Sequence, residues 1–591
     1  MTNLDYRACK GFPGIHRYFA DFMVSLPGSI DEKDNAHIWL ASALVSYFVN
    51  KGHICINLQD MAGRELYLDE DNEDLSILCP PLEQWIECLK RCHLVGDPYE
   101  NKPLILTEDF RLYLNRYWQY ERIFIDNITK KINFQSDSCH ESLTDEILER
   151  LFPPISEKEE DMQRKAAQAS LSKNFLVISG GPGTGKTYTI VKIIALLMEM
   201  KKIESIALVA PTGKAAARLK SVIRDLKDQI DCPDKIKTEI PDEALTVHRL
   251  LGASTRTKSF KFHENNPLPH DAVIVDEASM IDLPLMAKFL SAIPQKTKLI
   301  LVGDKDQLSS VEPGAVFGDI CEAVEGIPDS IVILKKNYRF HKDSGIGLLS
   351  EKVKQGNGEE AIKLIKDGVY KDIVWRDLPS PDNLYPFVEK NIVEKYHPYI
   401  KSTEIEEAFE YFDSFHVICA LRKGPYGVIA INGLIEKSLK EKGLIKIFGK
   451  WYRCKPIMIT ANDYNLKLFN GDTGIVFQDK ENRGLLRIFF RSEDDGIRKI
   501  APPRIADYET AYAITVHKSQ GSEFKDIVII LSDRQTEILT RELIYTAITR
   551  AKRHVEIWGR EDVFVEAVKK RIKRQSGIKE ALISIHQNRD L

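Results

Sequence analysis

The chain has 591 residues, of which 43% are hydrophobic and 29% are charged, as is ordinary for a globular protein. Its length predicts three or four domains at about 150 residues each. The formal net charge of −4 excludes an overall basic field, so any nucleic acid must bind in a local channel.

The N-terminal sequence MTNLDYRACKGF lacks the basic and apolar segments of a signal peptide. The apolar stretch at 37–48 is about half as long as a membrane span requires. The ten cysteines include no C-x-x-C pair, which favours buried reduced thiols over a zinc site or a disulfide framework. A cytoplasmic location without membrane contact is therefore expected.

Residues 1–125 are predicted to form a mainly helical domain, because apolar residues recur near helical spacing around Trp39 and Trp85. The aromatic stretch LYLNRYWQYE (112–121) closes this region. It could be an exposed stacking platform, but a buried core stripe is favoured.

Residues 126–340 alternate apolar strands with helical segments, which predicts an α/β domain. Several strands are apolar without alternation, as expected for a parallel sheet covered on both faces. The ligand site of such a sheet lies at the carboxyl ends of its strands. The predicted strands are 175–179, 205–210, 272–278, 298–304 and 330–334.

The first of these strands leads into GGPGTGKT, which matches the phosphate-binding loop G-x-x-x-x-G-K-[ST]. Its backbone N–H groups would surround phosphate oxygens, and the following helix presents its positive end to the same anion. Lys186 is expected to reach the β- and γ-phosphates of ATP, and the Thr187 hydroxyl to bind Mg²⁺. The residues expected to cradle the nucleotide are Gly180, Gly181, Pro182, Gly183, Thr184 and Gly185.

Residues 341–591 are predicted to form a second α/β domain, with strands at 415–420, 512–516, 527–531 and 554–558. Between 445 and 505 the residue pattern changes to short runs typical of β-strands, separated by residues typical of turns. This segment is predicted to be a small all-β module inserted into the second domain.

Charged and polar residues that suit phosphoryl transfer follow several strands. Asp276 and Glu277 end a strand beside the loop, where Asp276 could hold Mg²⁺ through water and Glu277 could activate the attacking water. Gln307 is placed to sense the γ-phosphate. Arg339 and Arg550 could stabilise the transition state from across a cleft, Arg550 from a helix spanning RELIYTAITRAKRH.

The segments GGPGTGKT, APTGKAAARL, TVHRLLG, IVDEASM, GDKDQL, NYRF, TVHKSQGSEF and YTAITRAK occur in that order. They resemble the ordered motifs of superfamily one DNA helicases that move 5′ to 3′. The likeness is greatest to the RecD family, the α subunits of bacterial exonuclease V (RecBCD). It covers 160–575 well and 1–125 more loosely.

The resemblance implies two RecA-like motor domains, with an SH3-like barrel as the β insertion. It implies that Gln163 reads adenine, with Gln168 as a nearby competitor. RecB-like and RecC-like subunits would be partners in a heterotrimer that acts on single-stranded and double-stranded DNA ends. The N-terminal domain would dock to them through exposed residues among Trp39, Tyr47, Phe48 and Trp85.

Within that family pattern, three loops are expected to hold DNA phosphates without reading bases. By itself His248 would more often be a packing histidine, and the resemblance favours the DNA role. The expected contacts are Pro211, Thr212, Thr246, His248, Thr515, His517, Lys518 and Ser522.

The expected mechanism is a ratchet in which ATP bridges Lys186 of one lobe and Arg339 and Arg550 of the other. Three functions compete: a translocating helicase subunit of double-strand-break processing and recombination, which is favoured; a DNA-dependent ATPase that acts as a loader or switch; and a nuclease. Outside the ATP site no convincing carboxylate cluster suggests a nuclease. A free-standing RecD-like helicase is a further alternative to a complex subunit.

Overall fold

The computed structural model describes residues 12–27, 32–67, 76–134, 141–153, 161–253, 259–323, 327, 329–340, 344–447, 449–463, 465–492 and 496–587. None of the helices in these ranges combines the length and the hydrophobicity that a membrane span needs. The eight cysteines that lie in the described part of the chain are all buried and free.

The N-terminal region contains both helices and strands, so the prediction of a mainly helical domain was incomplete. A four-stranded sheet of order β1-β6-β5-β4 is covered by apolar residues of the helices. Its strands are only two to four residues long, too short for an alternating pattern to be visible in the sequence. The elements are α1 Gly14–Ser25, α2 Glu32–Asn50, β1 Cys55–Asn57, α3 Leu58–Met61, β2 Glu65–Tyr67, β3 Ser76–Leu78, α4 Leu82–Arg91, β4 Val95–Gly96, β5 Leu104–Leu106, β6 Arg111–Leu114 and α5 Asn115–Asn133.

The four aromatic residues expected to dock partners lie in or against the core of this region. Trp39, Tyr47 and Trp85 are buried, and Phe48 is half-buried. In the stretch 112–121, Tyr113 is buried, and Tyr117, Trp118 and Tyr120 pack against the core, as favoured from the sequence. The boundary expected at 125 falls inside α5, which also packs on α12 (Leu283–Ser291) of the next region.

The region that follows is built on a six-stranded, fully parallel sheet of order β12-β7-β11-β10-β8-β9. Alternate residues of each central strand face two separate apolar layers, so both faces are covered. The elements are α6 Glu141–Leu151, α7 Met162–Ser172, β7 Phe175–Gly180, α8 Lys186–Glu199, β8 Ile206–Ala210, α9 Gly213–Lys227, α10 Asp234–Glu239, β9 Ala244–Thr246, α11 Val247–Leu250, β10 Ala272–Val275, α12, β11 Lys298–Gly303, α13 Val316–Glu322 and β12 Ile331–Leu334.

A second parallel sheet, of order β13-β22-β21-β14-β20, is also covered on both faces. An antiparallel sheet of order β18-β17-β16-β15-β19 interrupts it, with its own apolar core. The elements are α14 Gly345–Gln355, α15 Gly358–Lys366, β13 Ile373–Asp377, α16 Leu384–Asn391, α17 His397–Lys401, α18 Ile405–Ser414, β14 Phe415–Cys419, α19 Val428–Glu441, β15 Pro456–Ile459, β16 Thr473–Asp479, β17 Leu485–Ser492, β18 Gly496–Ile500, β19 Tyr508–Thr510, β20 Ala513–Thr515, β21 Phe524–Ile530, α20 Arg541–Ile548, β22 Ala551–Gly559, α21 Glu561–Lys569 and α22 Ile578–Gln587.

The C-terminal segment leaves the second sheet and packs against the other two regions. The backbone N–H of Ile54 donates to the carbonyl of Gln575 at 2.9 Å, and that of Gly577 donates to Glu121 at 3.0 Å. Ile578 and Leu582 enter the apolar layer beneath the first sheet. The C-terminal segment therefore contacts all three regions. The predicted range 341–591 had assigned it to the second α/β domain alone.

Candidate nucleotide site between the two parallel sheets

The glycine-rich loop joins the buried strand β7 to α8, as the sequence predicts. Gly183 and Gly185 have φ angles of +83° and +80°, in the left-handed region that favours glycine. The Lys186 ammonium donates to the carbonyl oxygens of Gly180 at 2.7 Å and Gly181 at 3.2 Å. Its charge therefore lies directly over the loop.

Residues 337–339 are fixed against this loop. The backbone N–H of Tyr338 donates to the carbonyl of Gly183 at 2.7 Å, and the Asn337 amide donates to that of Pro182 at 3.0 Å. A Cβ on Gly183 would lie 2.4 Å from the Cβ of Arg339. Arg339 therefore sits on the same side of the cleft as Lys186, and its assignment to the opposite lobe was wrong.

The two glutamines upstream of the loop lie in different environments. The Gln163 amide donates to the carbonyl of Thr184 at 3.3 Å and lies against Gly185. Gln168, one of the other polar residues of the same helix α7, is exposed. Gln163 is therefore the one placed beside the phosphate loop.

Asp276 and Glu277 follow β10 at the carboxyl edge of the first sheet. Burial, and then the charge of Glu277, raise the pKa of Asp276 to about 6, and Lys186 opposes this rise. Glu277 has a φ of +53°, a conformation that costs a residue with a side chain about 1–3 kcal/mol. Backbone strain of this kind clusters at functional sites.

The loop after β11 is bonded to the second sheet by side chains of α20 and the turn that follows it. The Tyr545 hydroxyl donates to Asp304 at 3.1 Å, and the Thr546 hydroxyl accepts from the N–H of Leu308 at 2.9 Å. Arg550 donates to the amide oxygen of Gln307 at 3.2 Å. Gln307 thus connects the two parallel sheets.

Arg550 is buried in the turn after α20, and the residues after it form β22. The expectation of one helix through 541–554 was therefore wrong. Its guanidinium also donates to the carbonyls of Thr546 at 3.0 Å and Ser522 at 3.3 Å. These bonds hold a buried cation in place at the edge of the cleft, where burial lowers its pKa.

Sequence reasoning missed two charged residues of the cleft, Arg218 and Glu523. The Glu523 carboxylate accepts from Arg218 and from Arg339, both at 2.5 Å. Burial by itself would raise the pKa of Glu523, but the two arginines hold it at about 2. Arg218 belongs to the segment APTGKAAARL and Glu523 to TVHKSQGSEF. A charged side chain within each of these segments was the signal that could have identified the two residues.

One cavity of about 240 Å³ collects these groups from both sides of the cleft. All five residues predicted to be catalytic contribute to its wall. The predicted residues that line it are Pro182, Gly183, Gly185, Lys186, Thr187, Asp276, Glu277, Gln307, Arg339 and Arg550. Arg218, Gly521 and Glu523 line it as well.

The threonines expected to bind DNA phosphates each lie at the start of a helical turn. The hydroxyl oxygens of Thr212, Thr246 and Thr515 accept from backbone N–H groups three residues later, at 3.2, 3.2 and 3.3 Å. These bonds use the oxygen lone pairs and leave the hydroxyl hydrogen for a phosphate oxygen. Pro211 precedes the first turn and is half-buried.

The other expected DNA contacts differ in accessibility. His248 is exposed, and His517 and Lys518 are half-buried. Ser522 is only 5% exposed, so its side chain does not reach a strand-binding surface in this structure, and that expectation was wrong. Gly521 lies against Ala215 of α9, which brings the loops of Thr212 and His517 to neighbouring positions on the two lobes.

Comparison with known proteins extends over almost the whole chain. Family models match three segments: "RecBCD enzyme subunit RecD, N-terminal domain" at 12–113, "AAA domain" at 163–313 and "UvrD-like helicase C-terminal domain" at 510–557. The chain is 35% identical to the RecBCD enzyme subunit RecD of Mycolicibacterium smegmatis, over 93% of this chain and 94% of the relative.

Two further relatives differ in how much of their length is matched. Identity to the RecBCD enzyme subunit RecD of Haemophilus influenzae is 34%, over 91% of this chain and 92% of the relative. Identity to the ATP-dependent RecD2 DNA helicase of Deinococcus radiodurans is 29%, over 64% of this chain and 46% of the relative.

Proposed function

We propose how the cleft of this chain, which belongs to the family of the RecBCD enzyme subunit RecD, works as the motor of an ATP-dependent DNA helicase. ATP binds in the cavity between the two parallel sheets, and its hydrolysis opens and closes the cleft. The supporting observation is that one cavity joins Lys186 and Glu277 of the first sheet to Arg550 of the second.

Within this proposal the two parallel sheets are RecA-like motor domains, and the antiparallel sheet is an SH3-like insertion. Lys186 and the loop 180–185 hold the triphosphate, and Gln163 contacts adenine. Arg339 and Arg550 stabilise the charge that develops during phosphoryl transfer. Glu277 deprotonates and orients the attacking water.

Mg²⁺ fits the oxygen donors that Thr187, at the start of α8, and Asp276, just after β10, bring to the cavity, because Mg²⁺ prefers oxygen ligands. Thr187 would bind the ion, and Asp276 would hold it through water. The ion would neutralise phosphate charge. Burial and the charge of Glu277 raise the pKa of the Asp276 carboxyl, whereas Lys186 and a bound cation would both favour its ionised form.

The proposed DNA path crosses both lobes at the loops of Thr212, Thr246 and Thr515. Because Arg339 is anchored to the first sheet, closure is sensed across the cleft mainly through Arg550 and its bond to Gln307. Alternating closure would then move the lobes 5′ to 3′ along one strand. ATP can bias this equilibrium only through its different affinity for the two states.

A place within a RecB-like and RecC-like complex is supported by an apolar stripe on α1. Ile15, Tyr18 and Phe22 are 72%, 76% and 58% exposed and, at spacings of three and four, share one helix face. Apolar patches of this kind mark interaction sites. We assign partner docking to this stripe, in place of the buried aromatic residues expected from the sequence.

The test is strand displacement on a duplex with a 5′ single-stranded tail, together with ATP hydrolysis. Lys186→Gln is expected to abolish both, since the loop loses its charge toward the phosphates. Lys201→Gln, which changes an exposed lysine just beyond α8, is the matched control and should behave as wild type. Hydrolysis without displacement by the wild-type complex would favour the loader or switch instead.

A further inference from the structure

Three arginines of the nucleotide cavity are held by one short loop of the second lobe, Gly521–Glu523. Arg218 donates to the carbonyl of Gly521 at 3.4 Å, and Arg550 donates to that of Ser522 at 3.3 Å. Arg218 and Arg339 both donate to the Glu523 carboxylate at 2.5 Å. The position of every cavity arginine therefore depends on this loop.

The Glu523 carboxylate is a fixed negative charge inside the cavity. Its side chain is 10% exposed, and Lys552 is a third cation near it, at 3.4 Å. The arginines hold its pKa at about 2, so it is ionised at neutral pH. A buried carboxylate requires such partners, and the guanidinium nitrogens that bond it are not free to bind another anion.

The Nη2 group of Arg339 donates to this carboxylate, while its Nη1 is buried without a hydrogen-bond partner among the described residues. The guanidinium fork suits a carboxylate and a phosphate equally well. Arg339 is one of the side chains that line the cavity, together with Lys186 and Glu277. Glu523 therefore occupies the kind of position on Arg339 that a phosphate oxygen would take.

We propose that Glu523 is a positioning residue that holds Arg339 and Arg218 until DNA is bound, and so makes ATP hydrolysis depend on DNA. This rests on the proposed function. In the DNA-free protein, Glu523 competes with the γ-phosphate for Arg339. The transition state then lacks the arginine charge, and hydrolysis is slow.

The same loop supplies the route by which DNA releases the arginines. Glu523 lies five residues after Lys518 and six after His517, which are expected to contact DNA phosphates. Gly521, between them, has a φ of +73° and lies against Ala215 of the other lobe. A shift of the loop toward a DNA phosphate moves Glu523 with it, because few backbone bonds separate the two sites.

DNA needs to supply only a difference in binding affinity between two arrangements of the loop. DNA must bind the released arrangement of the loop more tightly than the restrained one, and the ratio of the two affinities sets the stimulation of hydrolysis. Triphosphate favours the same released arrangement, since its negative charge and that of Glu523 repel each other within one cavity. DNA and ATP are therefore expected to strengthen each other's binding.

The test compares ATP hydrolysis by the full chain with and without oligo(dT), for wild type, Glu523→Gln and Asp526→Asn. Asp526 is a matched control, because its carboxylate pairs with Arg553 outside the cavity. Glu523→Gln is expected to raise the DNA-free kcat at least tenfold and to lower the stimulation by DNA by the same factor. KM for ATP should fall, because the triphosphate is no longer repelled by the Glu523 charge, and Asp526→Asn should match wild type.

A DNA-free rate that is unchanged or lower in Glu523→Gln, with stimulation retained, would overturn the inference. So would a tenfold rise in KM with kcat unchanged, which would make Glu523 a nucleotide contact. If Glu523→Gln shows no cooperative melting, Glu523→Asp is used, which keeps the charge with a shorter reach. It should raise the DNA-free rate about threefold, and a wild-type rate would contradict the restraint. Absence of DNA-stimulated hydrolysis in wild type would instead refute the proposed function.

Discussion

The Arg550 guanidinium donates a hydrogen bond to the Gln307 amide oxygen at 3.2 Å, across 243 positions of sequence. Gln307 also donates to Asp304 at 2.9 Å, and Asp304 accepts from Tyr545. Gln307 therefore links the loop after β11 to the second sheet through one side chain. The two parallel sheets are joined by side-chain hydrogen bonds at the wall of the cavity that Gln307 and Arg550 line.

Arg550→Lys is expected to lower kcat for ATP hydrolysis by about 10³-fold, at the lower end of what such an arginine contributes. Lysine keeps the charge but loses the planar fork that bonds Gln307 and the two carbonyls together. Arg553→Lys is the control, because Arg553 is exposed and pairs with Asp526. Steady-state kinetics would detect the difference, and equal rates for both variants would exclude Arg550 from the chemistry.

Glu277→Gln is expected to reduce kcat by about 10²- to 10⁴-fold, the range of general-base catalysis, with little change in nucleotide affinity. The amide retains the size of the side chain but cannot accept the proton of the attacking water. Glu204→Gln, at an exposed glutamate just before β8, serves as the control. Fluorescent-nucleotide binding and hydrolysis rates separate the two effects. Normal turnover in Glu277→Gln would mean that another group activates the water.

Glu121 predicts a pH dependence of stability. Burial raises the pKa of this carboxyl to about 7, against an ordinary value of 4.5, while Gly577 and Tyr113 donate to it. The folded state therefore keeps the proton longer than the unfolded state does. The stability contribution is complete below about pH 4.5 and is lost as pH rises through 7. The loss is roughly 3 kcal/mol, at about 1.4 kcal/mol per pKa unit.

Glu121→Gln should consequently melt at a higher temperature than wild type at pH 8, and the difference should narrow toward pH 5. Its amide can donate to the Tyr113 hydroxyl, while its oxygen accepts from Gly577. Asp126→Asn, at an exposed position of the same helix, is the control and should leave the pH profile unchanged. Parallel melting curves for Glu121→Gln and wild type at every pH would contradict the assignment.

The α1 stripe predicts a specific loss of assembly. Replacing Tyr18 and Phe22 by Ser should weaken association with RecB-like and RecC-like subunits by 30-fold or more, about 2 kcal/mol, which is typical of central aromatic contacts. ATP hydrolysis by the free chain should not change. Tyr67→Ser, at an exposed tyrosine of the same region, is the control. Undiminished co-elution of the double variant with both subunits would place the docking surface elsewhere.

The phosphate loop and the apolar strands were predictable because their bonds are local. The Lys186 ammonium bonds carbonyls five and six residues away, and the turn needs glycine at Gly183 and Gly185. Strands such as Phe175–Gly180 are apolar throughout, since the sheet is covered on both faces. Local geometry and burial can therefore be predicted from the order of residue types.

The charge contacts of the cleft and the packing of the N-terminal region were decided by contacts between residues far apart in the chain. Nothing near Glu523 indicates that Arg218 and Arg339 will reach it from 305 and 184 positions away. Likewise Trp39 and Trp85 are apolar in sequence, and only the packed N-terminal region shows them buried and Tyr18 exposed. The sequence alone determined the phosphate loop and the two α/β units. The tertiary structure decided which charges face one another across the cleft, because a side chain's partner depends on the path of the whole backbone.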